Sequence, residues 1–218
     1  MVDTMHVVVT GANRGIGKAM CEHLRAAEHR VTATSRDGSA GVALDVTQPA
    51  QHNALAAELS GKAVDLLICN AGVNLDRDQL LADGYPPEMW AKTFAANVTG
   101  VFLTVQSLLP LLRLSEQPKI AIISSDMASQ EHAPGGSYIY RASKAAVVNL
   151  GRNLSTDLLA DGIAVGIYHP GWVQTDMGGV SAEITVDEAA TGLIARFSAL
   201  SIEHTGCFET WDGRNQAL

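Results

Sequence analysis

A tyrosine and a lysine four residues apart on one helix can move a proton near neutral pH, and Ser137-Tyr138-Ile139-Tyr140-Arg141-Ala142-Ser143-Lys144 contains such a pair. Tyr140 and Lys144 share a helical face at that spacing. Tyr138 stands six residues from Lys144, which at roughly 100° per residue turns it about 240° away and leaves Tyr140 as the partner. A phenol with a pKa of about 10 shuttles protons poorly at neutrality unless a cation stabilises its phenolate. A full charge about 4 Å away, at an effective dielectric of about 20, is worth roughly 4 kcal/mol, at most about three pKa units. Lys144 is expected to bring Tyr140 down toward a working range by this route. Taken alone, the pair is better read as belonging to an ordinary surface helix.

A second cluster lies near the start, in Thr10-Gly11-Ala12-Asn13-Arg14-Gly15-Ile16-Gly17, entered from an apolar run and left into a helical pattern. Glycines in a strand-to-helix turn let the backbone approach a pyrophosphate, which then meets free N–H groups and the positive end of the helix. The spacing is G-x3-G-x-G, a weak signal by itself that gains weight from following a strand. Cofactor choice falls to the end of the next strand, Thr34-Ser35-Arg36, where a carboxylate would accept from ribose hydroxyls. None occupies Thr34 or Ser35, and Arg36 with Arg14 could clamp a 2'-phosphate, so NADP(H) is favoured over NAD(H). The alternative leaves both arginines in solvent and turns Asp37 toward an NAD ribose.

Both clusters need rigid elements to hold them. Runs rich in Val and Ile at 6–9, 30–34, 64–69, 119–124, 163–168 and 206–211 read as buried strands, with a shorter one at 42–44. Helical patterns occupy 15–28, 51–59, 87–112, 137–159 and 186–200. Alternation of strand and helix predicts an α/β fold, a doubly wound parallel sheet of about seven strands with helices on both faces. In the 87–112 pattern Trp90, Phe94, Val98 and Phe102 form one apolar stripe, read chiefly as core, with a subunit interface as the alternative. At 218 residues and 47% apolar, the chain is expected to form one domain over 1–218.

Composition excludes some functions. A formal charge of −8 opposes nucleic-acid binding through a general positive field. Cys21, Cys69 and Cys207 are odd in number and lack C-x-x-C spacing, so reduced thiols are expected instead of a disulfide framework or zinc cluster. Residues 1–9 carry Asp3 and no basic region, and no apolar stretch reads as a membrane span, so a soluble cytoplasmic protein is expected. The seven histidines show no ligand spacing such as H-E-x-x-H, and no metal is expected.

Taken in order along the chain, these features resemble the short-chain dehydrogenase/reductase family, from Met5 almost to the end. The resemblance rests on the glycine loop, Asp45 in Leu44-Asp45-Val46, Asn70-Ala71-Gly72, Asn97, Ser124-Ser125, the Tyr140/Lys144 pair, and His169-Pro170-Gly171 through Thr175. It implies a single Rossmann domain and a hydride-transfer enzyme. Tyr140 would give a proton to a carbonyl oxygen that Ser125 polarises. Lys144 would hold the nicotinamide ribose, and Asn97 would hold a water linking Lys144 to solvent. The cofactor would lie against Gly11, Asn13, Arg14, Gly15, Ile16 and Gly17, with Ser35 and Arg36 selecting it and Asp45 and Val46 bordering the adenine. Asn70, Ala71 and Gly72 would flank the adenosine ribose. Pro170, Gly171, Val173 and Thr175 would flank the nicotinamide and its phosphate, where Tyr140 and Lys144 complete the site. Ser125 stands fifteen residues before Tyr140, slightly farther than the family's commonest spacing, and Ser124 and Ser129 are rivals. Cys69 stands where many relatives have asparagine and reads as strand packing.

The stretches 135–144, 170–179 and 205–208 are similar to the family's carbonyl-reductase-like branch, which includes C-factor and the sniffer proteins. That likeness implies NADPH-dependent reduction of aldehydes or ketones. The partner would be a small-molecule carbonyl or alcohol, and assembly would give a homodimer or homotetramer through the helices bearing Asn97 and Tyr140. A nucleotide-binding regulatory protein and an alcohol dehydrogenase running the reaction in reverse remain alternatives. Only 178–184 separates Met177 from Thr185, which with Glu188 reads as a capping box, so the substrate lid is short and the cleft open to varied carbonyls. His132 and Trp172 are candidates to line the pocket, with a solvated loop and a packing residue as their plainer readings. His169 reads as structural.

Overall fold

Side-chain alternation along short parallel strands builds the centre of the molecule. The computed structural model describes residues 4–217. Among them, β1 (His6–Val9), β2 (Arg30–Ser35), β3 (Val42–Ala43), β4 (Leu66–Cys69), β5 (Lys119–Ile123), β6 (Ala164–His169) and β7 (Phe208–Thr210) form one sheet. All neighbours run parallel in the order β3-β2-β1-β4-β5-β6-β7. Val8 of β1 lies in register between Thr32 and Leu67.

The period of two sends alternate residues to opposite faces. Val8, Leu67, Ile120 and Ile122 face one side, where they pack with Leu55 of α2 (Pro49–Glu58), Leu108 of α4 (Gly100–Leu112) and Val147 of α5 (Tyr138–Asp157). Val7, Val9, Ile68 and Ala121 face the other, against Met20 and Leu24 of α1 (Gly15–Ala26) and Leu193 and Phe197 of α6 (Val186–Ala199). Thr185 and Glu188 form the capping box at the start of α6, each accepting the other's backbone N–H. Gly151 lets α5 lie close on the sheet, since a β-carbon there would stand 2.6 Å from Ile167 Cγ1. Strand order reverses between β1 and β4, and ligands of such sheets bind in the crevice beyond the carboxyl ends at that point.

The segment expected as one helix is interrupted. α3 (Pro87–Phe94) passes through a π-helical turn, Ala95–Thr99, into α4. The added residue shifts the phase of the helix, and the residues turned inward are Thr93, Ala96, Asn97, Val101 and Val105. Trp90 and Phe102 are 37% and 41% exposed, so the stripe expected chiefly as core lies on the outer flank. Contrary to the reading of the sequence, the run Pro87–Leu112 is long and apolar enough by length and composition to cross a membrane. Its apolar character has a local cause, because Val101, Val105, Leu108, Leu111 and Leu112 all enter the core beneath the sheet. β4 is shorter than read at its start because the Val64 N–H donates to the Leu111 carbonyl at the end of α4.

Candidate active site

The glycine loop leaves β1 at the carboxyl edge of the sheet, and two of its glycines are sterically required. Gly11 sits at φ 66°, and a β-carbon there would stand 2.9 Å from Ala71 Cα. One on Gly17 would strike the Gly11 carbonyl oxygen and the Asn70 side-chain nitrogen. No side chain caps the first turn of α1 and no acidic residue lies in it, so its free N–H groups and positive end suit a dinucleotide pyrophosphate. Asn70 secures the loop: its Nδ2 donates to the Thr10 and Gly11 carbonyls at 2.9 and 3.0 Å. The backbone N–H groups of Asn70 and Ala71 both donate to Thr10 Oγ1 at 3.0 Å. Asn70, expected beside a ribose, thus acts first as a brace between β4 and the loop.

At the end of β2, Asp37 is held by the hydroxyls of Ser39 and Ser35, which donate to Oδ1 at 2.7 and 2.8 Å, and by the Ser39 N–H at 3.1 Å. These bonds bring its carboxyl down to about 2 and commit it to the turn. Arg36 is exposed. Burial pushes the Asp45 carboxyl up, but hydrogen bonds from Thr47 and the nearby Arg36 charge outweigh it and hold the group below its ordinary value. Arg14 does not join Arg36. Its Nη1 donates to Asp176 Oδ2 at 2.8 Å, because the loop after β6 passes over the glycine loop: a β-carbon on Gly15 would lie 3.4 Å from Thr175 Cγ2. Arg14 thus spans the rim of the cleft, paired with Asp176.

The loop after β6 is tied to itself. Val173 bridges to Ile184, Thr175 Oγ1 accepts from the Gly178 N–H at 3.0 Å, and Trp172 Nε1 donates to the Gly178 carbonyl at 2.8 Å. Pro170 and Gly171 lead into it, and Gly171 packs against Ile184 and Trp211. His132 lies exposed in the loop before α5.

Tyr140 and Lys144 occupy the buried face of α5. Lys144 Nζ lies 5.6 Å from the centre of the Tyr140 ring and donates to the Ile123 carbonyl at 2.9 Å. Burial lowers the Lys144 ammonium to about 8. The Tyr140 phenol moves opposite to the expectation. Burial pushes it above its ordinary value, a hydrogen bond with Ser125 pulls it back, and the charges of Asp126 and Asp76 add to the rise. Sequence spacing conveyed the attraction of Lys144 but neither the desolvation nor the two carboxylates. The result is a phenol that keeps its proton, as a proton donor must.

Among the rival serines, Ser124 Oγ donates to the Lys144 carbonyl at 3.1 Å, while Ser129 Oγ accepts from the N–H groups of Glu131 and His132 at 3.2 and 3.3 Å. Ser125 is the one that stands near enough to the Tyr140 phenol to draw its pKa down, and its Oγ donates to Asp126 Oδ1 at 3.0 Å. Asn97 sits in the π-helical turn, where its Nδ2 donates to the Val73 carbonyl and Ser143 Oγ and its Oδ1 accepts from the Val73 N–H. It borders Lys144 across Gly72, whose β-carbon position lies 3.2 Å from Asn97 Oδ1 and 3.7 Å from Lys144 Nζ.

Three contributors escaped the sequence reading. Asp76 reaches the start of α5, and Arg77 Nη1 donates to the Met177 carbonyl at 2.8 Å, joining the segment after β4 to the loop after β6. Tyr138, set aside by helical phase, packs edge-on against Tyr85 with ring centres 5.1 Å apart. Adjacent acidic and basic residues soon after Asn70-Ala71-Gly72 were the available signal. A cavity of about 290 Å³ opens there, lined by Asn74, Leu75, Arg77, Gln79, Asp176 and Met177 among others.

The chain matches the family model of the short chain dehydrogenases over residues 5–184. It is 38% identical to C-signal of Myxococcus xanthus over 151 residues, covering 69% of this chain and 90% of that one. It is 34% identical to 1-hydroxy-2-glutathionyl-2-methyl-3-butene dehydrogenase of Rhodococcus sp. (strain AD45) over 223 aligned residues, covering 95% and 96%. The NADPH-bound carbonyl reductase from chicken fatty liver superposes with a TM-score of 0.91 and 33% identity over the whole of both chains. Order of motifs, order of strands and these likenesses agree, and the chain belongs to the short-chain dehydrogenase/reductase family of oxidoreductases.

Proposed function

We propose that this protein is a carbonyl reductase that uses NADPH in preference to NADH to reduce a small aldehyde or ketone. The observation that carries the reading is the meeting of Tyr140, Ser125 and Lys144 on one buried surface at the carboxyl edge of the sheet. Bound against the glycine loop and the loop after β6, the dinucleotide supplies a hydride. Tyr140 gives its phenolic proton to the carbonyl oxygen, balancing the arriving charge. Ser125 turns its hydroxyl from Asp126 toward the same oxygen. Lys144, a cation below about 8, holds the ribose hydroxyls and favours return of a proton to Tyr140. Asn97 keeps Val73 and α5 together beside Lys144 and is the place for a relay water.

Preference for NADPH is supported by exposed Arg36, by the turn that occupies Asp37, and by the NADPH-bound state of the chicken reductase. Exposed Leu75, Trp172 and Met177 suit a substrate with apolar substituents. The outward Trp90 and Phe102 support a homodimer or homotetramer.

The test follows oxidation of NADPH and NADH by the purified protein with aldehydes, ketones and quinones, beside Tyr140→Phe. Turnover with NADPH that falls about 10²- to 10⁴-fold in the variant, with NADPH affinity retained, is expected. Absence of turnover with either nucleotide, despite tight NADPH binding, would favour a binding-only regulatory protein.

A further inference from the structure

Asp76, in the segment between β4 and α3, is 0% exposed. A carboxylate there is costly unless hydrogen bonds surround it. Its partners are the first backbone N–H groups of α5: Oδ2 accepts from Ile139 at 2.7 Å and Tyr140 at 3.3 Å, and Oδ1 accepts from Tyr140 at 3.2 Å. The helix lacks a cap of its own. Ser137, at its N-cap position, has φ 44° and makes no side-chain capping bond. A residue 63 positions away supplies the cap, and places a negative charge at the positive end of a 20-residue helix. One of the two N–H groups it holds belongs to Tyr140.

We propose that Asp76 is a positioning residue for the reduction: it fixes the Tyr140 backbone and sets the electrostatic surroundings of the phenol. The inference rests on Tyr140 as proton donor. The groups facing that phenol are Lys144 from α5, Ser125 and Asp126 from the end of β5, and Asp76, while His169 at the end of β6 lies 3.8 Å from Asp126. Asp76 and Asp126 both make the phenolate harder to form. Asp126 is largely solvated, with 57% of its side chain exposed, whereas Asp76 is screened from water and acts undiluted. Through Arg77, the neighbouring residue, the same segment also reaches the loop after β6.

Two variants separate geometry from charge. Asp76→Asn keeps an oxygen able to accept from both N–H groups and removes the charge; Asp76→Ala removes both. Measured as kcat and KM against pH with NADPH, Asp76→Asn is expected to keep KM within about twofold. The alkaline limb of its kcat profile should move about half a pH unit or more toward acid, because loss of the negative charge eases loss of a proton from the Tyr140 and Lys144 pair. Asp76→Ala is expected to lose kcat by about tenfold or more at neutral pH through misplacement of Tyr140. If Asp76→Ala fails to fold by circular dichroism, the limb of Asp76→Asn decides alone. A wild-type limb in Asp76→Asn overturns the electrostatic role, and wild-type kcat in a folded Asp76→Ala overturns the positional one. Tyr140→Phe, run in parallel, tells the two failures apart. Full turnover there refutes Tyr140 as donor, whereas an inactive Tyr140→Phe beside unaltered Asp76 variants refutes Asp76 only.

Discussion

Arg36 and Arg14 looked equivalent as partners for a 2'-phosphate, and their surroundings separate them. Arg14 pairs with Asp176, while Arg36 stands exposed beside Asp45 at the end of β2. A charge-assisted hydrogen bond of the kind Arg36 would make is worth about 1.5–3 kcal/mol, roughly 10- to 100-fold in affinity. Arg36→Ala is therefore expected to raise KM for NADPH by at least about tenfold and to leave KM for NADH nearly unchanged; equal effects on both would remove Arg36 from cofactor selection. Spacing along one helix paired Lys144 with Tyr140 and not Tyr138, but only the order of motifs along the whole chain read that pair and Ser125 as a site. Asp76 was not legible, since its partners lie 63 and 64 residues away and only the folded chain brings them together. The direction of the Tyr140 shift was hidden for a related reason, because burial is a property of the whole site and not of a pair.

Elements were legible where their period was clean. The strands fall on the apolar runs read as strands, and the capping box of α6 could be read from Thr185 and Glu188 alone. The π-helical turn was not, because one extra residue inside a helical pattern leaves no compositional mark, and Trp90 and Phe102 of the stripe lie partly exposed on either side of it. The short loop between Met177 and Thr185 was legible but its support was not: Arg77 reaches it from the segment after β4 and donates to the carbonyls of Met177 and Gly178 at 2.8 and 3.5 Å. Such bonds contribute about 0.5–1.5 kcal/mol each. Arg77→Ala is expected to raise KM for the carbonyl substrate about two- to tenfold while kcat stays within about twofold, and steady-state kinetics at saturating NADPH checks it. An unaltered KM would mean that the wall and the lid act independently.

For the whole molecule, buried imidazoles tie stability to pH. His6 at the start of β1 and His169 at the end of β6 are both held below the ordinary histidine value, first by burial. Each therefore binds a proton less readily when folded than when unfolded. Stability is fully present above an unfolded pKa of about 6.5 and declines as pH falls toward the lower folded values. The melting temperature is expected to be level between about pH 7 and 8 and to drop toward pH 5, with a shallower drop in His6→Gln; equal slopes would assign the effect elsewhere. The sheet itself was foreseen in class and strand number, but not the order of its strands, which depends on pairings between distant segments.

One of those distant contacts bears on how the chain is made. Met20 and Leu24 of α1 are covered by Leu193 and Phe197 of α6, so α1 leaves a ribosome well before the helix that covers it. At about 5–20 residues per second the delay is on the order of ten to thirty seconds. During that interval the apolar back of the glycine-loop helix has the sheet but not α6 as cover, which marks it as a surface a nascent-chain chaperone would meet.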